Sequence, residues 1–353
     1  KQSRVRVAQA ARTKVFNDGG TAAGRVPVLE RSIARQDIEV DAARERTVRV
    51  EKIAAIHSSR DRAISDPVTG CLDLLRHSGG FDELLADHSK RWETLWSRYG
   101  FEVDPGHMWI SQTLNMHIFH MLGNVSVHSV DMDVGIAPRG LAGEAYRGLI
   151  MWDELFIFPF LNLHGPDLTR SLLLYRYRRL RQAMWAASAA GHEGAMFPWM
   201  SGSDGRERAQ TWHLNPLSGR WVPDNSRLEQ HVGLAIAYNV WQYYQVTNDL
   251  SFMSMYGTAL LCEIARFWVS RCDYDKERDR YVIRKVMGPD EFHEGYPGTD
   301  EPGVDNNAYT NIMASWVLER AREALGKLPL QYHRDVLSEL SLDDEELGRW
   351  KEI

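Results

Sequence analysis

At 353 residues, with 44% hydrophobic and 25% charged, the chain is long enough for one large domain or two to three smaller ones and is no disordered polypeptide. Its formal net charge of −6 gives no support for a nucleic-acid or anionic-membrane partner. Three cysteines, Cys71, Cys262 and Cys272, cannot pair fully and lack metal-ligand spacing; no apolar run reaches the roughly 18–20 residues of a membrane helix, and no signal peptide is visible. Reduced thiols in a cytoplasmic protein are expected.

Residues 1–60 carry short β signals, at 3–7 (SRVRV), 26–29 (VPVL) and 44–56. Within 47–53 the apolar residues begin at a spacing of two, which predicts a strand, and Asp18-Gly19-Gly20 reads as a turn between the first two segments. From 68 to 100 the spacing turns helical through Leu72, Leu75, Phe81, Leu84, Leu85, Trp92 and Trp96. This segment reads as a helical connector leading out of the β region.

From about Pro105 the pattern is mainly helical, with helices predicted over 108–122, 148–162, 166–190, 229–247, 254–271 and 309–325. The loops between them are rich in Gly, Pro, Asn and Asp, notably 191–226 and 286–308, and the β-branched stretch Tyr281-Val282-Ile283 precedes the second of these. No phosphate-cradling glycine motif, H-E-x-x-H, C-x-x-C or nucleophile elbow is present. Serial helices joined by alternating short and long polar loops suit an α/α barrel or solenoid, and the lack of a repeat period favours the barrel.

Four segments carry candidate chemistry. In the first, 284–311, Glu291 sits in a loop that opens with Gly288-Pro289 and closes with Asp305-Asn306-Asn307. A carboxyl group on a turn between regular elements can project into a cleft as an acid catalyst, although most such turns are only turns. In the second, Asp153 and Glu154 lie between Trp152 and the apolar run Leu155–Leu161. Buried there, they need partners or a solvated cavity; the alternative is a pair at a helix start. The third, 194–205, places Trp199 and Met200 beside small polar residues, a mixture of stacking face and hydrogen-bond partners that a sugar site uses. Ordinary loop packing of Trp199 is the alternative. In the fourth, Glu229-Gln230-His231 heads a helix bearing Tyr238, Trp241, Tyr243 and Tyr244, where a lone histidine is more often structural than catalytic.

The 12 tryptophans fit a carbohydrate protein, since sugars favour flat amphipathic rings, though Trp also fills helical cores. The arginine-rich run 175–181 (YRYRRLR) reads as helix-face charges or internal ion-pair partners. His117 and His120 share a helix face without an obvious third ligand, so a structural pair is expected and no metal.

The motifs G-x-x-M-W-D, L-L-x-Y-R-Y-R-R-L, G-A-M-F-P-W-x-S-G-x-D-G, H-V-G-L-A-I-A-Y-N-V-W-Q-Y-Y, A-R-F-W and G-P-D-E-F-H-E…D-N-N-A-Y-T-N occur here in that order. Together they resemble glycoside hydrolase family 65, which holds maltose, trehalose and kojibiose phosphorylases and some α-glucoside hydrolases. The resemblance implies a mainly α fold: residues 1–65 as the end of an N-terminal β-sandwich, 66–104 as a helical linker, and 105–353 as the first part of an (α/α)6 barrel. It implies that Glu291 is the general acid, that Trp152 and Asp153 contact the glucosyl unit beside the scissile bond, and that Trp199 belongs to the same subsite. Where relatives often carry Glu, this chain has Met200, which bears on substrate identity; His231 is counted among the candidate substrate-binding residues.

An inverting cleavage needs a protonated carboxylic acid at the leaving oxygen. In a hydrolase a second carboxylate, about 6.5–9.5 Å away, activates water; in a phosphorylase inorganic phosphate is the co-substrate and replaces that water. No cofactor is expected. The groups that decide between the two, with a substrate-contacting Lys-Gln pair, come in the family from segments downstream of the G-P-D-E loop. No such pair follows Glu291 here, so the sequence is expected to be an internal piece with an incomplete barrel. The expected function is inverting cleavage of α-glucosidic disaccharides, with a homodimer plausible from the family. The alternative is a non-catalytic sugar-binding or structural relative, or a piece inactive in isolation.

Overall fold

The computed structural model describes residues 4–17, 22–24, 28–30, 33–41, 43–103, 105–130, 132–140, 143, 145–290 and 293–353. By contacts the chain falls into two units, Lys1–Gly100 and Phe101–Ile353. The fold is mainly α with a few strands.

In the first unit β1 (Val7–Asn17) and β6 (Val48–Ser58) pair antiparallel from Val7↔Ser58 to Asn17↔Val48. Short strands β2 (Ala22–Gly24), β3 (Val28–Glu30), β4 (Ile33–Arg35) and β5 (Ile38–Val40) add the pairs β2–β5 and β3–β4. The strand predicted at 47–53 forms, but the face of Val48 and Val50, whose spacing signalled it, is not the buried one: Glu51, Ile53 and Ala55 are buried, while Val50 and Ile56 are exposed. Against the buried face packs α1 (Pro67–His77) through Cys71 and Leu75. The residues Ser3, 18–20 and 26–27 of the expected β signals lie outside the described residues.

The helical connector consists of two helices. After α1 the chain breaks at Ser78–Gly80 before α2 (Phe81–Tyr99). The Arg12 guanidinium donates to the carbonyls of Leu75 and Gly79 at 2.7 and 2.9 Å, supplying donors that the end of α1 lacks. The buried Glu51 carboxylate accepts from the Phe81 backbone N–H at 2.9 Å and serves the start of α2 in the same way.

The second unit begins with α3 (Met108–Leu122), on its predicted span. The helix predicted over 148–162 starts only at Glu154 (α4, Glu154–His164), because Ile150 is drawn into backbone pairing with Ser201. The helix predicted over 166–190 is two, α5 (Pro166–Tyr177) and α6 (Leu180–Ala189), interrupted where Arg179 turns its guanidinium onto Asp133 and the Ser203 carbonyl. Next come α7 (Val232–Thr247), the single turn α8 (Leu250–Phe252), a π-turn at Met253–Gly257, α9 (Thr258–Arg271) and α10 (Ala308–Lys327). Two further helices, α11 (Leu330–Leu340) and α12 (Asp344–Glu352), follow without having been expected. The long loop 191–226 carries a hairpin of β7 (Trp212–Leu214) and β8 (Trp221–Pro223). The stretch Tyr281-Val282-Ile283 lies in β10 (Arg280–Ile283), paired with β9 (Cys272–Asp275).

The core of this unit surrounds α7. Val232, Leu234, Ala235, Ile236, Ala237, Val240 and Trp241 are all buried, as expected for a helix apolar around most of its circumference. Helices α4 and α5 pack on α7, as do α9 and α10. Gly194 fits against α9 only because it lacks a side chain: its φ is +69°, and a Cβ would stand 2.3 Å from both the Glu263 carbonyl oxygen and the Phe267 nitrogen.

Candidate sugar site

Two tryptophan motifs that lie far apart in the chain meet through one backbone pairing. Ile150 N–H donates to the Ser201 carbonyl at 3.0 Å, and Ser201 N–H returns to the Ile150 carbonyl at 2.8 Å. In an antiparallel pair, two residues after one member face two residues before the other, so Trp152 comes opposite Trp199. Their ring centroids are 6.4 Å apart. The pairing is held from α5, where Tyr175 Oη lies 2.8 Å from Ser201 Oγ and donates to the Gly202 carbonyl at 2.7 Å. The next residue, Arg176, donates to the Met151 carbonyl at 2.8 Å.

Arg176 also answers the question raised by Asp153-Glu154. Its guanidinium lies 2.9 Å from Glu154 Oε2, with both side chains 1% exposed, so the run 175–181 supplies an internal ion-pair partner. Burial pushes the Glu154 carboxyl upward while Arg176 opposes that rise. Asp153, at the N-cap position of α4, makes no side-chain cap bond and is half-buried; desolvation raises its pKa.

His231 closes the cluster from the start of α7. Its ring stands edge-on to Trp152 at 4.8 Å and 5.4 Å from Trp199. It is 1% exposed, and neither ring nitrogen has a protein hydrogen-bond partner of good geometry. Desolvation depresses its pKa to about 4, a nearby Met287 backbone group opposing the shift weakly, so the ring is neutral at physiological pH. A fourth ring was not foreseen: Tyr309, in the first turn of α10, lies 5.9 Å from His231 and 6.3 Å from Trp152. Its position within the D-N-N-A-Y-T-N motif was the available signal.

Met200 does not join the ring cluster through an aromatic contact, but its backbone is fixed beside it. The Glu207 carboxylate accepts from Trp199 N–H at 2.7 Å and Met200 N–H at 3.0 Å. Carboxyl groups crowd the same neighbourhood. Glu229 is pushed up to about 8, first by desolvation and then by the charges of Asp224, Glu207 and Glu294. The sequence had singled out only His231 as a candidate in the segment Glu229-Gln230-His231; Glu229 was legible as its neighbour but not as a perturbed acid.

Glu291 lies outside the described residues. Its flanks are anchored. Met287 N–H donates to the Leu228 carbonyl at 3.1 Å, Val286 pairs with Val304, and Lys285 N–H donates to Asp305 Oδ1 at 3.0 Å. A Cβ at Gly288 would meet Asn307 Nδ2 and His293 Nδ1 at 2.5 Å, so the turn packs closely against the residue that caps α10. His117 and His120 line a cleft of about 500 Å3 with Ile136, Phe156 and Phe160, of which Phe156 packs edge-on against Trp152 at 5.8 Å. Among the described residues no group of three His, Cys, Asp or Glu could hold a metal ion, and no helix is long and apolar enough to cross a membrane.

Comparison with known proteins gives a consistent picture. Residues 115–353 match the glycosyl hydrolase family 65 central catalytic domain, and residues 1–95 match that family's N-terminal domain. The chain is 46% identical over its whole length to an uncharacterised glycosyl hydrolase of Mycobacterium tuberculosis, covering 26% of that protein. It is 38% identical over 324 residues to trehalose 6-phosphate phosphorylase of Lactococcus lactis, covering 90% of this chain and 41% of the relative. Against kojibiose phosphorylase of Caldanaerobacter subterraneus the identity is 37% over 340 residues, 93% of this chain and 42% of the relative. The chain thus spans well under half the length of these curated relatives. A solved chain from the human microbiome, assigned to kojibiose phosphorylase, superposes with a TM-score of 0.76 over 99% of this chain and 43% of that one, at 19% identity, which speaks to the fold.

Proposed function

The chain belongs to glycosyl hydrolase family 65, and from that premise we propose that the protein is an inverting glycoside phosphorylase acting on an α-glucosidic disaccharide. In this reading the helices α3 to α10 contribute to an (α/α)6 barrel, and the cage of Trp152, Trp199, His231 and Tyr309 receives the glucosyl unit. The observation that carries the reading is the meeting of that cage, on the pairing Ile150–Ser201, with the turn Met287–Asp290 through the bond from Met287 to Leu228. Apolar ring faces with a few polar edges are the surface on which a pyranose packs.

The roles follow from the chemistry. Glu291 is the general acid and protonates the glycosidic oxygen as the bond to the anomeric carbon breaks. Phosphate attacks that carbon from the opposite face, so configuration inverts and β-glucose 1-phosphate leaves with the free acceptor sugar. No general base is required for a phosphate nucleophile. Asp153, half-buried and desolvated, and neutral His231, with two unpartnered ring nitrogens, supply hydrogen-bonding edges for sugar hydroxyls. Phosphorolysis is preferred to hydrolysis because the two relatives named above whose activity is known, from Lactococcus lactis and Caldanaerobacter subterraneus, are phosphorylases.

Glu229 must be separated from Glu291, since a carboxyl raised to about 8 is protonated at neutral pH, as a general acid must be. The test is turnover of α-linked glucobioses by the intact protein with and without phosphate, beside Glu291→Gln and Glu229→Gln. Glucose 1-phosphate released only with phosphate, lost on Glu291→Gln while sugar binding survives and retained on Glu229→Gln, is the expected result. Normal turnover by Glu291→Gln would overturn the assignment.

A further inference from the structure

The segment 195–201 carries Trp199 into the cage, and its backbone donors are satisfied in two different ways. Ala195 N–H donates to the Glu263 carbonyl at 2.8 Å, Met196 N–H to the Ala183 carbonyl at 3.1 Å and Ser201 N–H to the Ile150 carbonyl at 2.8 Å. These three bonds run to backbone on α9, on α6 and just before α4. Pro198 has no donor to place. Trp199 and Met200 differ, because both N–H groups donate to one side chain, the Glu207 carboxylate, at 2.7 Å to Oε2 and 3.0 Å to Oε1. One carboxylate therefore secures the backbone on which the indole of the cage is hung.

Glu207 is itself held from the helices. Ser201 and Glu207 form an antiparallel bridge, and between them the chain reverses with Gly205 N–H on the Gly202 carbonyl at 3.1 Å. Gly205 has φ +78°, and a Cβ there would stand 2.7 Å from Arg179 Cγ, so the turn lies tight against that arginine. Tyr175 donates to the Gly202 carbonyl and Arg179 to the Ser203 carbonyl, each at 2.7 Å. Arg208 N–H and Ala209 N–H add their own bonds to Glu207 Oε1, both at 2.9 Å. Four backbone donors thus converge on one carboxylate, and hydrogen bonds to a carboxylate are about twice as strong as neutral ones. We infer that Glu207 is a positioning residue of the sugar site that acts through Trp199. It fixes the backbone from which the indole stands 6.4 Å from Trp152 and 5.4 Å from His231. A glutamine keeps the shape but turns one of the two accepting oxygens into an NH2 donor, which then faces backbone N–H groups.

This inference rests on the cage being the sugar site of the proposed phosphorylase, and it deepens that reading. The intact protein is compared as parent, Glu207→Gln, Trp199→Ala and the double variant by calorimetric titration with glucose. The same four proteins are assayed for kcat and KM on the α-linked glucobiose that the parent turns over best. Glu207 is exposed and the exchange nearly isosteric, so Glu207→Gln is expected to fold. Each single variant is expected to weaken glucose binding about tenfold, and the double variant no more than about twofold beyond Trp199→Ala, because the two residues act as one unit. In turnover Glu207→Gln is expected to raise KM about tenfold and to leave kcat within about threefold of the parent. A lowered melting temperature with unchanged glucose affinity marks Glu207 as structural alone and overturns the inference. A double variant weakened by the product of the two singles overturns it as well; both results leave the phosphorylase reading standing. Glucose affinity untouched by Trp199→Ala removes the cage as a sugar site and this inference with it. The expected binding pattern without turnover of any glucobiose overturns the phosphorylase reading and leaves this one standing.

Discussion

Replacing Arg176 by Met should be among the most damaging single changes in the second unit that touch no substrate. Arg176 and Glu154 are each 1% exposed and 2.9 Å apart, so removal of the guanidinium strands a carboxyl group in a dry interior. Breaking a buried pair from one side costs about 3–5 kcal/mol. At roughly 2–4 °C per kcal/mol for a domain of this size, the melting temperature should fall on the order of 6–20 °C. The loss is not only global, because Arg176 also holds the Met151 carbonyl at 2.8 Å, one residue before Trp152. Residues 150–154 should therefore exchange amide hydrogens faster than the rest of the unit. Replacing both partners, Glu154→Leu with Arg176→Met, removes the stranded charge and should restore stability to within about 1 kcal/mol of the parent, while sugar binding stays weak. Urea denaturation with peptide-resolved hydrogen exchange reads both effects. A single-variant cost below about 1 kcal/mol, or a double variant destabilised by the sum of the two singles, would refute the reasoning.

Glu229 predicts a pH dependence of stability. Its pKa rises from 4.5 to about 8 on folding, so the folded state holds a proton that the unfolded state releases. The contribution is full below the unfolded value and is lost as pH rises through the folded one, so stability falls between about pH 5 and about pH 8. Glu229→Gln should flatten that slope, and a melting series that keeps it would refute the assignment. Gly194→Ala should cost about 2–6 kcal/mol, from about 1–3 for left-handed strain and about 1–3 for overpacking. Gly191→Ala, at φ +81° with nothing within 4 Å, incurs only the strain. Equal denaturation midpoints for the two would contradict the close approach to α9.

Much of the helical unit was legible because its signals are local. α3 and α10 are amphipathic or apolar runs bounded by Gly, Pro and Asn, and they fall on or near their expected spans. The strand β6 was signalled by the spacing of Val48 and Val50, although the face it buries carries Glu51, Ile53 and Ala55. The misjudged boundaries share a cause. At 148–153 and 178–179 the residues are compatible with helix, and long-range bonds to Ser201, Asp133 and Ser203 outweigh a propensity difference of less than about 1 kcal/mol per residue. The helices α11 and α12 were missed at the charged end of the chain, where the Arg266 side chain, reaching from α9 to Glu346 and the Leu340 carbonyl, secures them.

For the site, the sequence alone supplied residue types and order: Trp152-Asp153, Trp199, His231 and the loop of Glu291 could be picked out, and their order carried the family. Tertiary structure alone decided that Trp152 faces Trp199, that Tyr309 joins them, that Glu154 belongs to Arg176 and not to substrate, and that carboxylates crowd Glu229. The physical reason is that ring contacts and desolvation depend on which distant segments are brought within a few ångströms. Pairings such as Ile150 with Ser201 and Met287 with Leu228 set those distances, and no local pattern of residues encodes them.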